Sequence, residues 1–253
     1  MRRIGVMAVH YGKEYIAWAV RGLALAVDEV HVFYTPSPSF GQVDWSAKNC
    51  DTEEELVAEA NRFAKVVWHR ISAHCEGDHR DQMLALARSR DAQLVAIADA
   101  DEIWDHIGLQ SALDAVGRAN SHGRWLATFH NFWRSWKWTV RDHFAPIRIV
   151  DLRHPLTSDA RLGAEQLSPI YHFGYAQTLP TMRYKLSCHG HKAEFKPGWL
   201  EEKFIGWDPV TNNSDLHPCV NDFWRAEATP QHVLDHLEIL MPEHPFKTLD
   251  RID

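Results

Sequence analysis

The sequence predicts an α/β protein with a central, mostly parallel sheet that helices cover on both faces. β-type and α-type segments alternate through the first hundred residues, and the β-type segments are continuous apolar runs. Such runs are typical of strands that are buried on both faces. The composition, with 45% hydrophobic residues and a net charge of −7 over 253 residues, is that of an ordinary globular chain.

The expected elements follow one another in regular order. Apolar, β-rich runs predict strands at 4–9, 30–34, 66–71 and 94–98. Helical spacing, acidic first turns and capping residues predict helices at 13–27, 51–63, 78–90 and 109–119. In sheets of this kind ligands bind at the carboxyl ends of the strands, so those ends are where functional residues are expected.

The pattern changes near residue 120. Aromatic strands are expected at 125–138 and 146–150, followed by an irregular region, rich in His and Pro, that reaches the end of the chain. The sequence contains no internal repeat, low-complexity tract or long linker. We therefore expect a single domain over residues 1–253, with a change of role inside it near residue 120.

Charge and cysteine usage exclude several classes of protein. A chain with 27 Lys and Arg against 34 Asp and Glu is poorly suited to gripping nucleic-acid backbones, although a local basic groove stays open. Four widely spaced cysteines without a CxxC pair indicate free thiols in a reducing compartment, so we expect a cytoplasmic protein. The apolar stretch near the N-terminus is interrupted by charged residues, which argues against a signal peptide or a membrane span.

The most informative segment is LVAIADADEIWD, residues 94–105. If the chain stays extended, Asp99 and Asp101 project to the same side while Ala100 faces the packing. Two carboxylates on one side attract a hard divalent cation such as Mg²⁺ or Mn²⁺, which also coordinates phosphate. The alternative, that one of these aspartates caps the next helix, accounts for one acid but not for the whole D-A-D-E cluster.

Several segments in order resemble the GT-A glycosyltransferases. These are the KEYI helix, the DEVHVFY strand, the HRDQ helix and the VAIADADEIW strand, followed by YHFGY (171–175) and RYK (183–185). The last two resemble the H-[FW]-G-[WY]…R-x-K segment of glycosyltransferases that carry a D-x-D-E strand, a group that includes the β-1,4-N-acetylglucosaminyltransferase type. The resemblance spans roughly residues 3–195. It implies a metal-dependent sugar transfer from a nucleoside diphosphate sugar, with a nucleotide-sugar half at 1–120 and an acceptor half at 121–253.

The resemblance also implies roles for individual residues. Asp101 would hold the metal, Asp99 would contact the ribose or the water shell of the metal, and His172 would be the third metal ligand. Glu102 would orient its neighbours. An imidazole ligand favours Mn²⁺ over Mg²⁺. The alternative for His172, which stands among aromatic residues, is a histidine that belongs to the core.

Other charged residues are candidates for the donor side. His10 and Tyr11 follow the first strand, where the nucleotide is expected. Arg80 stands at a helix start, where it either contacts a base, ribose or phosphate or balances nearby acids on the surface. Arg183 and Lys185, with Lys192 further on, are candidates to neutralise the diphosphate of a UDP- or GDP-type donor.

The acceptor side is expected among the aromatic residues after 125. Trp133, Trp136 and Trp138 form a dense cluster that could stack on a sugar, and core packing is the alternative. An inverting transfer needs a general base for the acceptor hydroxyl. Glu165 is the first candidate and Asp142 the second, with Asp159 as a third; a retaining transfer would need none.

Three other functions stay open at this point. One is the glycosylation of a hydroxymethylated pyrimidine in DNA, which the net charge disfavours. Another is a metal-dependent nucleotidyltransferase or phosphohydrolase, which normally needs a second carboxylate cluster. A carbohydrate-binding module without catalysis would leave the nucleotide-type α/β half unexplained.

Overall fold

The structure, a computed structural model, describes residues 1–38, 48–163, 169–189, 192–219 and 223–249. The chain divides into two compact units. The first unit comprises the described residues of Met1–Gly41, Asp51–Phe129 and Phe144–Tyr171, and the second comprises those of Gln42–Cys50, His130–His143 and His172–Asp253. That the whole chain is one domain stays a prediction.

The strands and helices of the described residues alternate through the first unit. The strands are β1 (Arg3–Val9), β2 (Glu29–Tyr34), β3 (Val67–Arg70), β4 (Leu94–Asp99), β5 (Glu102–Ile103), β6 (Arg124–Leu126), β7 (Phe129–Trp133), β8 (Ser135–Val140), β9 (Ile147–Asp151), β10 (Asp159–Arg161), β11 (Ile170–Tyr175) and β12 (Ala226–Ala228). The α-helices are α1 (Lys13–Ala24), α2 (Glu53–Ala60), α3 (Glu76–Ser89), α4 (His106–Ala119), α5 (Leu179–Cys188) and α6 (Gln231–Leu240). A π-helix covers Leu200–Ile205, and 3₁₀ turns cover Lys192–Glu194 and Pro245–Thr248.

The sheet of the first unit has the strand order β10-β6-β9-β4-β1-β2-β3. Strands β4, β1, β2 and β3 run parallel to their neighbours in this series, and β9 is antiparallel to both β4 and β6. The fold is thus α/β with a mostly parallel central sheet, which confirms the fold class expected from the sequence.

Helices pack on both faces of this sheet. Ile4 and Val6 of β1 belong to a buried cluster with Met83 of α3. Gly5, between them, faces the other way, because a Cβ placed on it would lie 3.4 Å from Leu23 of α1. Successive residues of a strand point to opposite faces, so α1 and α3 cover opposite faces of β1.

The strand order reverses direction between β1 and β4. From β1 the chain moves outward through β2 to β3, and then it returns to place β4 on the other side of β1. Such a reversal opens a crevice at the carboxyl ends of the two strands, which is where open α/β sheets bind their ligands. Ala8 of β1 pairs with Asp99 of β4. The D-A-D-E residues 99–102, called the acidic segment below, therefore lie at this crevice.

The second unit has a core of aromatic residues. In its sheet the strand order is β12-β8-β7-β11, and an aromatic cluster that includes Trp133, Tyr175 and Trp199 forms its core. The region that the sequence indicated as irregular contains β11, α5, α6 and β12, so that expectation is wrong for those segments. The apolar period of α6 and the capping Thr178 of α5 are local signals that its many His and Pro obscured.

The expected aromatic strand at 125–138 is three strands. Arg134 separates β7 from β8 and has a left-handed backbone with φ 58°, which closes the antiparallel pair with a tight turn. Among the described helices none is both long and apolar enough to cross a membrane.

Candidate functional site

The loops that follow β1 and β4 touch each other. Gly12, just before α1, has φ 113°, a left-handed conformation that glycine adopts without strain. A Cβ on Gly12 would lie 3.2 Å from the Cβ of Ala100. The residues that follow β1, His10 and Tyr11, therefore share one edge of the sheet with the acidic segment.

Asp51 holds the loop after β1 in place. Its buried carboxylate accepts hydrogen bonds from the backbone N–H groups of Gly12 (2.7 Å) and Lys13 (3.1 Å). In the sequence, Asp51 looked like part of the start of the next helix. The capping box of that helix is instead made by Thr52 and Glu55, so the carboxylate of Asp51 is directed to the loop after β1.

The acidic segment is not extended throughout. Strand β4 ends at Asp99, residues 100–101 form a turn, and β5 starts at Glu102. The expectation that Asp99 and Asp101 share one side of an extended strand is therefore wrong in its geometry, because the turn sets the direction of Asp101. Ala100 is buried, as the sequence indicated, and Asp101 is partly exposed at the carboxyl edge of the sheet.

A buried arginine joins two of the acids. Nη2 of Arg148, on β9, donates to Oδ2 of Asp99 at 2.7 Å and also to Oε1 of Glu102. The guanidinium lies over the ring of Phe129, with 5.2 Å to its centroid. No sequence spacing indicated Arg148, since only the pairing of β9 with β4 brings it to the acidic segment.

Glu102 is the most buried acid of the segment. Its side chain has no solvent exposure, and its Oε2 accepts a hydrogen bond from the backbone N–H of Asp99 at 3.2 Å. Burial raises the pKa of the Glu102 carboxyl, and the adjacent guanidinium of Arg148 acts in the opposite direction. The expectation that Glu102 orients its neighbours agrees with these contacts.

Two histidines lie near the carboxyl ends of β1 and β2. Nδ1 of His10 donates to the backbone oxygen of Thr35 at 2.6 Å, and Nε2 of His79 donates to that of Phe33 at 3.0 Å. Burial lowers the pKa of both imidazoles below the usual range. Both rings are therefore neutral at neutral pH and present a fixed pattern of donors and acceptors.

Arg80 makes the surface contact that the sequence left open. Its Nε donates to Oε1 of Glu76, one turn earlier on α3, at 2.8 Å. This i,i+4 pair stabilises the first turns of the helix. A contact between Arg80 and a nucleotide stays a prediction.

The described residues offer carboxylates but no complete metal cage. No group of three or more His, Cys, Asp or Glu side chains that could hold a metal ion is found among them. Magnesium and manganese sites at phosphates commonly use only one or two carboxylates, and the substrate supplies further oxygen ligands. Asp99 and Asp101 are carboxylates of the type that such a cation uses, and their role as metal ligands stays a prediction.

The second unit brings together the residues of the HFGY and RYK segments. Nδ1 of His172, on β11, donates to Oδ1 of Asn131, on β7, at 2.6 Å. A Cβ on Gly174 would lie 2.6 Å from Nε2 of His172 and 3.0 Å from Nζ of Lys185. Only glycine leaves room for both side chains, which is a physical reason for the residue at this place in the motif.

Of the expected basic residues, Lys185 alone lies in this cluster. It is buried on α5, donates to the backbone oxygen of Gly174 at 2.8 Å and lies over the ring of Tyr175 at 4.8 Å. Arg183 is exposed and pairs with Glu201 at 3.3 Å, and Lys192 donates to the backbone oxygen of Ser187 at 3.3 Å. A role of Arg183 in donor binding stays a prediction.

The tryptophans expected at the acceptor side differ in burial. Trp133 is fully buried and Trp136 is 2% exposed, the latter against Phe173 and His244. Trp138 is partly exposed and meets Trp207 edge to face at 5.2 Å. The structure thus places Trp133 and Trp136 in core packing, the alternative that the sequence left open, and Trp138 alone of the three has an accessible ring.

The three candidates for a general base lie in different parts of the chain. Asp142 is partly exposed in the connection between β8 and β9. Asp159 forms a salt bridge with Arg124 at 2.5 Å, a contact that favours a structural role. Glu165 lies outside the described residues.

No protein-family model and no curated protein matches this chain. Solved structures that it resembles include TarS of S. aureus, with 16% identity and a TM-score of 0.35 over 52% of this chain and 36% of that one. Another is glucosyl-3-phosphoglycerate synthase from Mycobacterium tuberculosis in complex with Mn²⁺, UDP and phosphoglyceric acid. It has 13% identity and a TM-score of 0.36 over 53% of this chain and 44% of that one. A third is a cytidylyltransferase from Leptospira borgpetersenii, with 17% identity and a TM-score of 0.39 over 60% of this chain and 61% of that one. The chain spans less than two thirds of the length of each of them, and TM-scores below 0.5 carry no conclusion about activity.

Proposed function

We propose that this protein is a metal-dependent glycosyltransferase of the GT-A type. It would transfer a hexosyl or N-acetylhexosaminyl group from a UDP- or GDP-type donor to a hydroxyl acceptor. The observation that carries the proposal is the position of Asp99 and Asp101 at the end of β4, beside the end of β1, where the strand order reverses.

The loop after β1 supports the need for a cation. In many nucleotide-binding folds the N–H groups at the start of the first helix bind the phosphates. Here the N–H groups of Gly12 and Lys13 donate to the carboxylate of Asp51 instead. The charge of a bound diphosphate must therefore be neutralised by other groups, and a divalent cation at Asp99 and Asp101 meets this need.

Within this proposal the residues of the chain have distinct roles. Asp101 and Asp99 would hold a divalent cation, which would stabilise the leaving diphosphate. His10 and Tyr11 line the place of the nucleotide. His172, as a third ligand, and Lys185, as a counter-charge for the diphosphate, are roles that the resemblance implies. An inverting transfer with Glu165 or Asp142 as the base is part of the proposal.

The test compares Asp101→Asn with Asp105→Asn. Asp105 caps α4 through the N–H of Ile107 at 3.1 Å, and Asn is an equally good cap, so the control removes a nearby charge without disturbing the helix. Wild type and control should gain thermal stability from UDP or GDP with Mn²⁺, because a ligand that prefers the native state stabilises it. Asp101→Asn should melt like wild type without ligand and gain nothing from nucleotide and metal. Equal stabilisation of all three proteins would refute the assignment of Asp101.

Product analysis separates the glycosyltransferase from the other enzyme classes. A glycosyltransferase releases a nucleoside diphosphate from the donor, whereas a nucleotidyltransferase forms or consumes pyrophosphate. Detection of pyrophosphate instead of nucleoside diphosphate would favour the nucleotidyltransferase.

A further inference from the structure

We propose that Arg148 is a positioning residue of the donor site, which sets the orientation of Asp99 through a partly buried ion pair. This inference rests on the proposed function, since it concerns the same acidic segment. Arg148 touches neither donor nor acceptor in this proposal, and it acts through Asp99.

Arg148 reaches the acidic segment from the neighbouring strand. Ile149 of β9 pairs with Ala96 of β4, which places Arg148 toward the carboxyl end of β4. Its side chain is 3% exposed, and its Nη1 donates to the backbone oxygen of Ile147 at 3.2 Å. The guanidinium is therefore also anchored to the backbone of β9, in addition to its contacts with the two acids.

The contacts distinguish Arg148 from an arginine that only compensates a buried acid. Glu102 is fully buried, and pairing with this acid would by itself account for a buried arginine. The same Nη2 also binds Asp99, whose side chain keeps 36% of its exposure at the edge of the sheet. Arg148 thus holds Oδ2 of the Asp99 carboxylate, and Glu102 holds the backbone N–H of the same residue.

This arrangement has a consequence for ligand binding. Residues that orient a metal ligand from behind typically change metal affinity or activity by about 10–100-fold when they are replaced. Loss of Arg148 should therefore weaken binding of nucleotide and metal even where the fold survives.

The experiment uses three variants and one control. Arg148→Met alone leaves Glu102 buried without its cation, so the double variant Arg148→Met/Glu102→Gln keeps the interior neutral. Arg148→Lys keeps the charge. The control, Arg153→Met, breaks a similar ion pair with the buried Asp151, at 2.5 Å, away from the acidic segment. Affinity for UDP or GDP with Mn²⁺ is measured by calorimetry, and folding by thermal melts.

We expect the double variant to fold and to bind nucleotide and Mn²⁺ at least about tenfold more weakly than wild type. Arg148→Lys should recover most of this loss. Arg153→Met should melt at a lower temperature and bind as wild type does. A double variant that binds as tightly as wild type overturns the inference.

A separate measurement keeps the inference distinct from the proposed function. If wild type binds neither nucleotide with Mn²⁺, the proposed function fails, and the inference is decided by melting temperatures alone. Asp99→Asn is then combined with Arg148→Met/Glu102→Gln. Non-additive shifts in melting temperature support the link between Arg148 and Asp99, and additive shifts overturn it.

Discussion

Nδ1 of His172 donates a hydrogen bond to Oδ1 of the buried Asn131 at 2.6 Å. When the imidazole is neutral, this contact holds its proton on Nδ1 and leaves the lone pair on Nε2. Nε2 is also the atom that a Cβ on Gly174 would approach most closely. Asn131 thus selects the form of His172 that suits a metal ligand, in the way that partners of metal-binding histidines usually do.

Replacement of Asn131 by Leu should remove the preference of His172 for the Nδ1–H tautomer. Leu offers no acceptor, so His172 should become a mixture of its two neutral forms, which nitrogen NMR of the imidazole detects. If His172 is a metal ligand, Mn²⁺ affinity in the presence of nucleotide should fall by about 10–100-fold. Asn131→Asp keeps an acceptor and should keep the Nδ1–H form. A pure Nδ1–H form in Asn131→Leu would show that another group holds the tautomer.

Replacement of Gly174 by Ala should displace His172 and Lys185. The added Cβ would lie 2.6 Å from Nε2 of His172, which is too short for unbonded atoms, and 3.0 Å from Nζ of Lys185, which is a tight contact. If His172 and Lys185 have the proposed roles, nucleotide-sugar turnover should fall by about tenfold or more, since disturbed metal-site residues typically cost that much.

Gly77→Ala is the matched control for this substitution. Gly77 lies near the start of α3, and its added Cβ would be in ordinary contact at 3.6 Å from Sγ of Cys75. Ala is favoured over Gly in helices by about 1 kcal/mol, so this variant should be as stable as wild type or more stable. Equal turnover in Gly174→Ala and Gly77→Ala would argue against a functional cluster around Gly174.

The stability of the protein should fall as the pH decreases below about 6.5. Burial lowers the pKa of His79, so the unfolded chain takes up a proton in a pH range where the folded protein does not. The free energy of unfolding contributed by this group is complete above the unfolded pKa and is lost as the pH falls through the folded pKa. His10, whose pKa burial also lowers, acts in the same direction.

His79→Gln tests this dependence. Gln has no proton to gain, and its amide can still donate toward the backbone oxygen of Phe33. The variant should differ from wild type at pH 8 only through packing, and its free energy of unfolding should fall less between pH 7 and pH 5. Parallel stability curves for the two proteins, from urea denaturation at each pH, would contradict the assignment.

Replacement of Trp136 by Ala should mainly destabilise the fold. Its ring is 2% exposed and packs against Phe173 and His244, so its loss should cost about 3–5 kcal/mol of unfolding free energy. Trp138→Ala should cost less, because Trp138 is partly exposed. Denaturant unfolding of both variants checks this order. A stable Trp136→Ala that loses transfer but keeps donor hydrolysis would restore the acceptor role predicted from the sequence.

The sequence determined the fold class and the order of elements through the first 120 residues. Apolar strands such as β4 and amphipathic helices such as α1 are visible as patterns of apolar residues in the local sequence. The turn residues between them indicate where each element ends. The helices α5 and α6 were missed because nearby His and Pro obscured the capping Thr178 of α5 and the apolar period of α6.

The sequence also indicated Asp99, Asp101, His172 and Lys185, since a motif at a strand end or in a short segment is visible without a structure. Their contacts were decided only by the tertiary structure. Arg148 reaches Asp99 over 49 positions, Asp51 reaches Gly12 over 39, and Asn131 reaches His172 over 41. Strand pairing and loop packing bring these partners together. The local pattern of apolar residues does not indicate which distant residues come into contact. The sequence thus specified the chemical groups of the candidate site, while the fold specified how each is held.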